Sequence, residues 1–385
     1  MIKKIFAITG NRAEYGLLKE VTLKLEKSPK IDFSLIITGS HLDSKFGKTI
    51  EEISQDSFNS IYKIPCIKSH QIQNRVGIEV SSLIMNFTKF FTKKRPDLIL
   101  LLGDRYESFA VAICASILKI PIAHIYGGET TQGAYDEYFR HSISKMAHLH
   151  FVANKTYKKR LIQLGENIDN IHVIGSLAFE NINKKQLIDK SKIEELLKID
   201  LNHKTFIVTY HPETLSNISI NTQIKNLLNA IEKFNDIQFI FTKSNSDTGG
   251  EIVNKAIENF VLRHKNTSLF DSLGHELYFS LLKHVVGVIG NSSSGLSEVP
   301  YLGRMTINIG SRQEGRPKVS SIIDTNHDLR SIFNSIKFAL ENEIDSFNEI
   351  INIYGQGGSS AKVVNVIEET NLTNLLQKKF YDISF

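Results

Sequence analysis

Residues 291–298, Asn-Ser-Ser-Ser-Gly-Leu-Ser-Glu, have the composition of an anion-binding turn. They follow an apolar run at 285–289 that has the length and composition of a buried strand. Small hydroxyl residues and a glycine at a strand end leave backbone N–H groups uncovered, and a helix that begins there attracts an anion. Glu298, one turn further on, can accept hydrogen bonds from a ribose diol. The octet indicates a nucleotide diphosphate site; the alternative is a serine-rich cap on an ordinary helix.

Five further polar clusters follow other predicted strands. They are Gly10-Asn11-Arg12-Ala13-Glu14-Tyr15, Gly103-Asp104-Arg105-Tyr106-Glu107, Gly127-Gly128-Glu129, His211-Pro212-Glu213-Thr214 and Gly310-Ser311-Arg312. Each cluster alone is compatible with ordinary turn chemistry. Ligands of open parallel sheets bind outside the carboxyl ends of the strands. Clusters of this kind in both halves of the chain therefore predict one site in a cleft between two domains.

The elements that must position these clusters are apolar, β-rich runs separated by amphipathic stretches. The runs lie at 5–9, 33–37, 61–64, 98–102, 122–126, 150–152, 171–174, 206–210, 238–242, 267–270, 285–289 and 306–309. Many are continuously hydrophobic, which favours parallel strands covered on both faces. The strands are too numerous for one open sheet. The pattern predicts an α/β fold with two Rossmann-like, doubly wound domains that face a central cleft.

The domain boundaries are predicted from breaks in this pattern. The strand that ends near Gly175 is followed by a polar stretch at 181–192, and a Gly-Gln-Gly-Gly-Ser-Ser run occupies 355–360. We therefore predict a domain over 1–174, a second over 175–357, and a C-terminal helical segment over 358–385. The helix, expected at 361–378, is predicted to dock on the first domain.

Composition narrows the class of protein. With 385 residues, 41% hydrophobic and 23% charged, the chain has the composition of a globular protein, and no apolar run approaches the length of a membrane span. A net charge of +5 without a long basic block gives nucleic-acid binding no specific support. Cys66 and Cys114 have no metal-ligand spacing and are read as reduced thiols, which predicts a cytoplasmic location.

In these motifs the chain resembles the UDP-N-acetylglucosamine 2-epimerase family. The matching segments are Gly-Asn-Arg-Ala-Glu-Tyr-Gly at 10–16, Gly-Asp-Arg-Tyr-Glu at 103–107, His-Ile-Tyr-Gly-Gly-Glu at 124–129, Asp-Glu-Tyr-Phe-Arg-His at 136–141, His-Pro-Glu-Thr at 211–214, Gly-Asn-Ser-Ser-Ser-Gly at 290–295 and Asn-Ile-Gly-Ser-Arg-Gln-Glu-Gly-Arg at 308–316. The resemblance implies the glycosyltransferase-B fold. Each motif is weak alone, but together, in family order, they are specific.

The resemblance is greatest to the hydrolysing, bacterial sialic-acid-pathway branch. Non-hydrolysing relatives typically carry a proline after the first-motif arginine and a lysine a few positions on, whereas here Arg12 precedes Ala13 and Glu14. The branch implies conversion of UDP-N-acetylglucosamine and water to N-acetylmannosamine and UDP, with inversion at carbon 2 through a glycal. Motif matches of this kind are hypotheses about chemistry.

Three acids match the catalytic positions of the family: Asp104, Glu129 and Asp136. Removing a carbon-bound proton requires a close, oriented base. Asp136 opens a predicted helix with Arg140 four residues on, so the alternative for Asp136 is an N-cap or a helix salt bridge. The alternative for Asp104 is a turn residue. Tyr126 stands where many relatives have an acid, so the direction of each proton transfer stays open.

The remaining matches lie on the nucleotide side. His211 is a candidate catalytic residue near the diphosphate, with a structural histidine as its alternative. Residues matching family positions that bind substrate or UDP are Arg12, Arg140, Ser292, Ser293, Gly295, Glu298 and Arg312. No metal-ligand pattern appears, and the resemblance implies no cofactor. The expected partner is a UDP-sugar, with no nucleic acid and no membrane, in a homodimer or a tetramer.

Four other functions fit parts of the pattern. The same chemistry could act on a UDP-diacetamido-trideoxy sugar of a legionaminic-type pathway. A non-hydrolysing 2-epimerase would release no free sugar. A glycosyltransferase on the same fold would need an acceptor, and a sugar-nucleotide sensor would leave its ligand intact. Release of free sugar and UDP without an acceptor separates the hydrolases from the other three.

Overall fold

The computed structural model describes residues 2–43, 49–67, 75–132, 135–184, 187–244 and 249–383. The chain divides into two units. The first comprises Met1–Glu129, Asp136–Asn181 and Gln356–Phe385, and the second comprises Thr130–Tyr135 and Ile182–Gly355.

The described part of the first unit contains a sheet of seven parallel strands in the order β3-β2-β1-β4-β5-β6-β7. The strands are β1 Lys3–Thr9, β2 Ile31–Ile37, β3 Ile61–Lys63, β4 Leu98–Leu102, β5 Ile122–Ile125, β6 Leu149–Val152 and β7 Ile171–Val173. All five residues of β4 are buried. A strand covered on both faces reads as a continuous hydrophobic run, as the sequence predicts for this segment.

Helices cover both faces of this sheet. They are α1 Arg12–Lys27, α2 Thr49–Ser54, α3 Arg75–Lys93, α4 Tyr106–Ile117, α5 Asp136–Met146, α6 Lys155–Gln163 and α7 Leu177–Lys184, which crosses the boundary between the units. Side chains of β1 point alternately to the two faces: Ile5 packs in a core with Leu18 of α1, and Phe6 packs in a core with Phe87 of α3. This alternation explains why both faces of one strand must be apolar.

The second unit has a sheet of the same design. In its described part, six parallel strands follow the order β10-β9-β8-β11-β12-β13. They are β8 Thr205–Thr209, β9 Gln238–Thr242, β10 Thr267–Phe270, β11 Gly287–Gly290, β12 Met305–Ile309 and β13 Ile322–Thr325. The helices are α8 Lys190–Leu197, α9 Ile220–Ile231, α10 Gly250–Val261, α11 Gly274–Leu282, α12 Glu298–Tyr301, α13 Leu329–Glu341 and α14 Phe347–Tyr354. The predicted pair of doubly wound α/β units is confirmed.

The C-terminal segment packs within the first unit. Helix α15 spans Ser359–Glu369, whereas the sequence predicts a helix to residue 378. A short 3₁₀ turn over Leu372–Asn374 and an extended stretch follow instead. The side chain of Asn371 accepts from Thr373 N–H, and this local bond competes with continuation of the helix. Val363 and Ile367 of α15 pack in the same core as α1.

The division of the chain differs from the predicted boundaries in three places. The first falls between Asn181 and Ile182 instead of after 174, and the second falls after Gly355 instead of 357. Residues 130–135 group with the second unit, where Arg316 Nε donates to Thr130 O at 2.7 Å and Thr130 Oγ1 donates to Glu314 O at 3.2 Å. A segment of six residues is too short to show a hydrophobic period, so the sequence pattern does not predict this crossing. Strand β13 is also absent from the predicted set.

The extended C-terminal stretch is anchored by a buried ion pair. Lys378 Nζ contacts Glu166 Oε2 at 2.6 Å and donates to Lys145 O and Ala147 O at the end of α5. His150 Nε2 also bonds Glu166, at 2.9 Å. Burial opposes the charge of Glu166, but the bonds and charges of His150 and Lys378 outweigh it and hold the carboxyl pKa at about 2. The carboxylate is therefore charged throughout the neutral range.

We predict that Lys378→Met lowers the free energy of unfolding at pH 7 by about 2 kcal/mol, because it removes one partner of a buried pair. Lys379→Met is the matched control, since Lys379 is exposed, and it should change stability by less than about 0.5 kcal/mol. Denaturant unfolding measures both. Equal effects of the two substitutions would show that the segment is not anchored in this way.

Candidate active site

Predicted site residues of the first unit lie at the carboxyl ends of β1, β4 and β5. Strands β1 and β4 pair directly, and the chain order of the sheet reverses between them. The Arg12-bearing turn follows β1, and Asp104 follows β4. This reversal is the topological switch point at which open α/β sheets bind ligands.

Arg140 joins two of the predicted acids. Its side chain, on α5, is 4% exposed, and its guanidinium contacts Asp104 Oδ2 through Nη2. Nη1 lies 3.5 Å from Glu129 Oε2 and 3.4 Å from Tyr126 O. Arginine stays charged in proteins, so its burial requires paired anions. The three predicted residues Asp104, Glu129 and Arg140 therefore form one cluster.

Asp136 and Arg12 lie at the beginnings of helices in the same unit. Asp136 is the half-buried first residue of α5 and stands one helical turn before Arg140. Arg12 is the half-buried first residue of α1. Asn11 caps α1, since its side chain accepts from Glu14 N–H at 3.0 Å. The cap fixes the direction in which α1 leaves the switch point.

The turn after β5 carries Glu129 on a constrained backbone. Tyr126 has a φ of 65°, which is rare for a bulky residue, and Gly128 has a φ of 72°. A Cβ at Gly127 would lie 2.7 Å from Ser144 Oγ, so only glycine fits there. The Tyr126 hydroxyl accepts from Leu177 N–H at 2.7 Å. This hydroxyl thus anchors the start of α7. Many relatives are expected to have an acid in place of Tyr126.

His124 is a positioning residue that the sequence analysis leaves without a role. It is fully buried, and burial lowers its pKa to about 3, so the ring is neutral. Nε2 lies 2.7 Å from Gly103 O, an atom that only accepts, so Nε2 carries the proton. Nδ1 then accepts from Ser144 Oγ at 3.1 Å. The imidazole holds the peptide that precedes Asp104.

In the second unit, Asn291 organises the ends of β8, β11 and β12. Its side chain accepts from His211 N–H at 2.8 Å and donates to His211 O at 2.8 Å. The backbone carbonyl oxygen of Asn291 accepts from Arg312 Nη1 at 3.2 Å and from Gln313 Nε2 at 2.8 Å. Asn291 is 1% exposed. It brings together two predicted residues, His211 and Arg312, and nothing in its sequence position alone reveals this role.

Glu213 fixes the loop that carries Arg312. Its carboxylate accepts from Arg312 N–H at 2.9 Å, from Ser311 Oγ at 3.2 Å and from His327 Nε2 at 3.1 Å. Burial opposes the charge, but the His327 and Arg312 bonds outweigh it and lower the pKa of Glu213. Gly310 has a φ of 80°, and a Cβ there would overlap Glu213 Oε1. The loop after β12 is thus held in one conformation.

The serine-rich octet forms a different element from the predicted helix. A 3₁₀ turn spans Ser293–Leu296, and a separate four-residue helix, α12, begins at Glu298. A continuous helix would need an N–H at Pro300 to bond Leu296 O, and proline has none. The octet thus begins with a short 3₁₀ turn and not with a regular α-helix. With so few aligned peptides, the helix dipole contributes less to anion binding than the local N–H groups.

The octet residues have distinct environments. Ser292 is half-buried, Ser293 is exposed, and, among described contacts, Ser292 makes no side-chain capping bond. A Cβ at Gly295 would lie 2.7 Å from Thr306 Cγ2, so Gly295 permits close packing on β12. Glu298 is half-buried, and Ser297 Oγ donates to its Oε2 at 2.5 Å.

The described residues form neither a metal-ligand cluster nor a membrane-spanning helix. Within those ranges, no group of three or more His, Cys, Asp or Glu side chains could hold a metal ion. Across the same residues, no helix has the length and apolar character that crossing a bilayer requires.

Comparison with known proteins identifies the family. The family model for UDP-N-acetylglucosamine 2-epimerase matches residues 23–368, and the chain belongs to this family. It is 40% identical to the polysialic acid biosynthesis protein P7 of Escherichia coli, over 99% of this chain and 98% of that protein. It is 36% identical to the GDP/UDP-N,N'-diacetylbacillosamine 2-epimerase (hydrolyzing) of Campylobacter jejuni, over 99% of each.

Solved structures share the fold. The UDP-GlcNAc 2-epimerase of Neisseria meningitidis bound to UDP-GlcNAc matches with a TM-score of 0.79 at 19% identity, over 95% of this chain and 100% of that one. At this identity the match supports the fold alone. The predicted glycosyltransferase-B fold class is confirmed.

We predict that Gly310→Ala weakens UDP binding about tenfold and lowers stability by about 3 kcal/mol, because the methyl group displaces Glu213 and hence Arg312. Gly358→Ala is the matched control, since its backbone is left-handed, with a φ of 74°, but nothing lies within 4 Å of its Cβ. The control should lose only about 1–2 kcal/mol, the cost of the backbone conformation. Calorimetric titration with UDP and denaturant unfolding measure both effects. Unaltered UDP affinity in Gly310→Ala would show that the loop after β12 does not contribute to UDP binding.

Proposed function

We propose that the chain is a hydrolysing 2-epimerase that converts UDP-N-acetylglucosamine and water into N-acetylmannosamine and UDP. The observation that carries this proposal is the cluster of Asp104 and Glu129 around buried Arg140 at the carboxyl edge of the first sheet. Two carboxylates in one cluster suit a reaction that must both remove and return a proton. The residues of the second unit suit the uridine diphosphate.

The hydrolytic outcome is supported by the sequence of the first motif and by the relatives. Arg12 is followed by Ala13 and Glu14, whereas non-hydrolysing relatives are expected to have a proline and a lysine. The Campylobacter jejuni relative is named as a hydrolysing enzyme, and the Escherichia coli relative is named for polysialic acid biosynthesis. N-acetylmannosamine produced here would supply sialic acid synthesis.

The proposed reaction has two steps. In the first, a carboxylate takes the proton from carbon 2, those electrons form the double bond between carbons 1 and 2, and UDP leaves with the bonding pair. In the second, water attacks carbon 1 and gives a proton to a carboxylate, while carbon 2 receives a proton on its other face. We assign both roles to the group Asp104, Glu129 and Asp136, without allotting a direction to each.

Charge develops on the diphosphate as the carbon–oxygen bond breaks. We assign Arg12 and His211 to this charge, because preorganised donors stabilise a growing anion. The N–H groups of the Ser292–Gly295 turn and Arg312 suit the diphosphate, and the Glu298 carboxylate suits the ribose hydroxyls.

A second substrate has a specific observation in its favour. The 36% identical relative from Campylobacter jejuni is named for N,N'-diacetylbacillosamine, a diacetamido sugar. The same cluster of acids would perform the same chemistry on it, because the reacting atoms are carbons 1 and 2 in both. A group at carbon 4 of the sugar would distinguish them.

The test presents purified protein with UDP-N-acetylglucosamine and, separately, with a UDP-diacetamido-trideoxy sugar, without any acceptor. We expect equal amounts of UDP and free sugar, and a kcat/KM at least a hundredfold higher for the true substrate. UDP-N-acetylmannosamine without free UDP would indicate a non-hydrolysing epimerase. UDP release only after addition of an acceptor would indicate a transferase. Either result contradicts the proposal.

We predict that Asp104→Asn and Glu129→Gln each reduce kcat on the order of a hundredfold or more, because they remove an acid or base from the reacting carbon. Their affinity for UDP should stay within about threefold of the wild type, since UDP does not contain the reacting carbon. Asp32→Asn, at an exposed position of β2, is the control and should retain full turnover. Normal turnover in both site variants would remove these acids from the chemistry.

We predict that Glu298→Ala weakens UDP binding about tenfold, the loss of a charge-assisted bond to the ribose. Glu276→Ala, which removes an exposed glutamate of the same unit, is the control. Competitive inhibition by UDP measures both. An inhibition constant that is the same in Glu298→Ala and the wild type would refute the ribose assignment.

A further inference from the structure

We propose that Glu14 is a positioning residue that works as a neutral carboxylic acid, holding the turn that carries Arg12, and that its ionisation ends catalysis at alkaline pH. The inference rests on the proposed function for its kinetic consequence. Its structural consequence, a pH-dependent stability, is independent of that function.

The Glu14 side chain binds the backbone of the turn that follows β1. It lies in the first turn of α1 and is 6% exposed. Its Oε2 accepts from Gly10 N–H at 2.7 Å. Its Oε1 is buried and, among the residues that the structure describes, has no hydrogen-bond partner. A carboxylate here would place uncompensated negative charge on this buried oxygen, which costs far more than the neutral hydroxyl of a protonated acid.

The Gly10 peptide is held from its other side as well. Its carbonyl oxygen accepts from Ser40 N–H at 2.8 Å and from Ser40 Oγ at 3.1 Å. A Cβ at Gly39 would lie 2.5 Å from this oxygen, so the β2 end approaches closely. Gly10, two residues before Arg12, is thus held by Glu14 through its N–H group and by Ser40 through its carbonyl oxygen. Loss of the Glu14 bond would leave it fixed on one side only.

A second buried acid lies against the same glycine. Glu107, in the first turn of α4, is 1% exposed. A Cβ at Gly10 would lie 3.2 Å from Glu14 Oε2 and 3.3 Å from the Glu107 Cδ. The two carboxyl groups therefore share the space around Gly10, between the turn after β1 and the turn after β4.

The charges around Glu14 favour its neutral form. Arg105 Nε contacts Glu107 Oε2 at 3.1 Å, so the Arg105 guanidinium forms its ion pair with Glu107. Asp104 adds a further negative charge from the same turn. From the β2 end, His41 bonds Thr9 Oγ1 at 3.0 Å, and burial lowers its pKa to about 4, so it is neutral. Arg12 stands two residues before Glu14 on α1.

Burial first, and the Glu107 charge second, raise the pKa of Glu14 to about 8, against the opposing effects of Arg105 and Gly10 N–H. The folded protein therefore keeps this proton to a higher pH than the unfolded chain, whose carboxyl has its ordinary value of 4.5. Stability contributed by the neutral form is complete below that ordinary value and is lost progressively as the pH rises toward 8. Above it, an ionised Glu14 repels Glu107 and loosens the Arg12 turn.

The test compares Glu14→Gln, a neutral isostere, with the wild type from pH 5 to pH 9.5. For the wild type we expect kcat/KM to fall about tenfold per pH unit above pH 8, as one ionisation of the free enzyme requires. Glu14→Gln should lie within about threefold of the wild type at pH 7 and should not fall above pH 8. Its unfolding temperature should rise relative to the wild type between pH 5 and pH 8.

Two further variants make the test decisive. Glu107→Gln removes the repelling charge, so the alkaline fall of kcat/KM should begin at a lower pH, and this variant decides the question if Glu14→Gln does not fold. Glu26→Gln, in the last turn of α1, is the control and should keep the wild-type profile. The inference is overturned if Glu14→Gln keeps the alkaline fall or is inactive at every pH, or if Glu107→Gln leaves the fall in place. If the wild type shows no turnover, the proposed function is refuted but the inference on Glu14 is not. The pH dependence of the unfolding temperature then still tests whether Glu14 is neutral in the folded protein.

Discussion

One buried cation, the guanidinium of Arg140, sets the arrangement on which the first unit's site depends. Taking it out of water is costly, and the cost is offset only if anions remain beside it. Asp104 and Glu129 supply those anions from two different strand ends. The acids are thus held together by an interaction that would be unfavourable if either were absent. The same residues are therefore required for folding the site and for its proposed chemistry.

Neutral buried groups complete this arrangement without adding charge. His124 holds the peptide before Asp104, and Gly127 allows the ring to lie against the turn that carries Glu129. The second unit uses the same device with an amide: Asn291 bonds the backbone of His211 and accepts from Arg312. Charged residues at the surface of each site are thus oriented by uncharged residues beneath them. Buried polar groups of this kind are effective because each must find its partner.

The sequence predicts the parts of this molecule that local patterns determine. Continuous apolar runs such as 98–102 identify parallel strands, and polar residues directly after them, such as Asp104, identify the carboxyl edge. The roles of Asn291 and Glu213 are not predictable in this way, because each depends on strand ends far apart in the chain. The break between the 3₁₀ turn at Ser293–Leu296 and α12 is not evident from the octet itself, because it depends on Pro300, which lies beyond it. The pairing of Glu14 with Glu107 likewise depends on β1 and β4 being neighbours, which only the sheet order reveals.

In the proposed reaction, Asp104, Glu129 and Asp136 exchange the proton on carbon 2 of a UDP-sugar during hydrolysis. Proton NMR of the reaction in deuterated water tests this exchange most directly, with UDP-N-acetylglucosamine as substrate. We expect a released sugar of manno configuration with one deuterium at carbon 2, and free UDP in equal amount. A released sugar that retains its original proton at carbon 2, or its gluco configuration, would rule out this proton exchange.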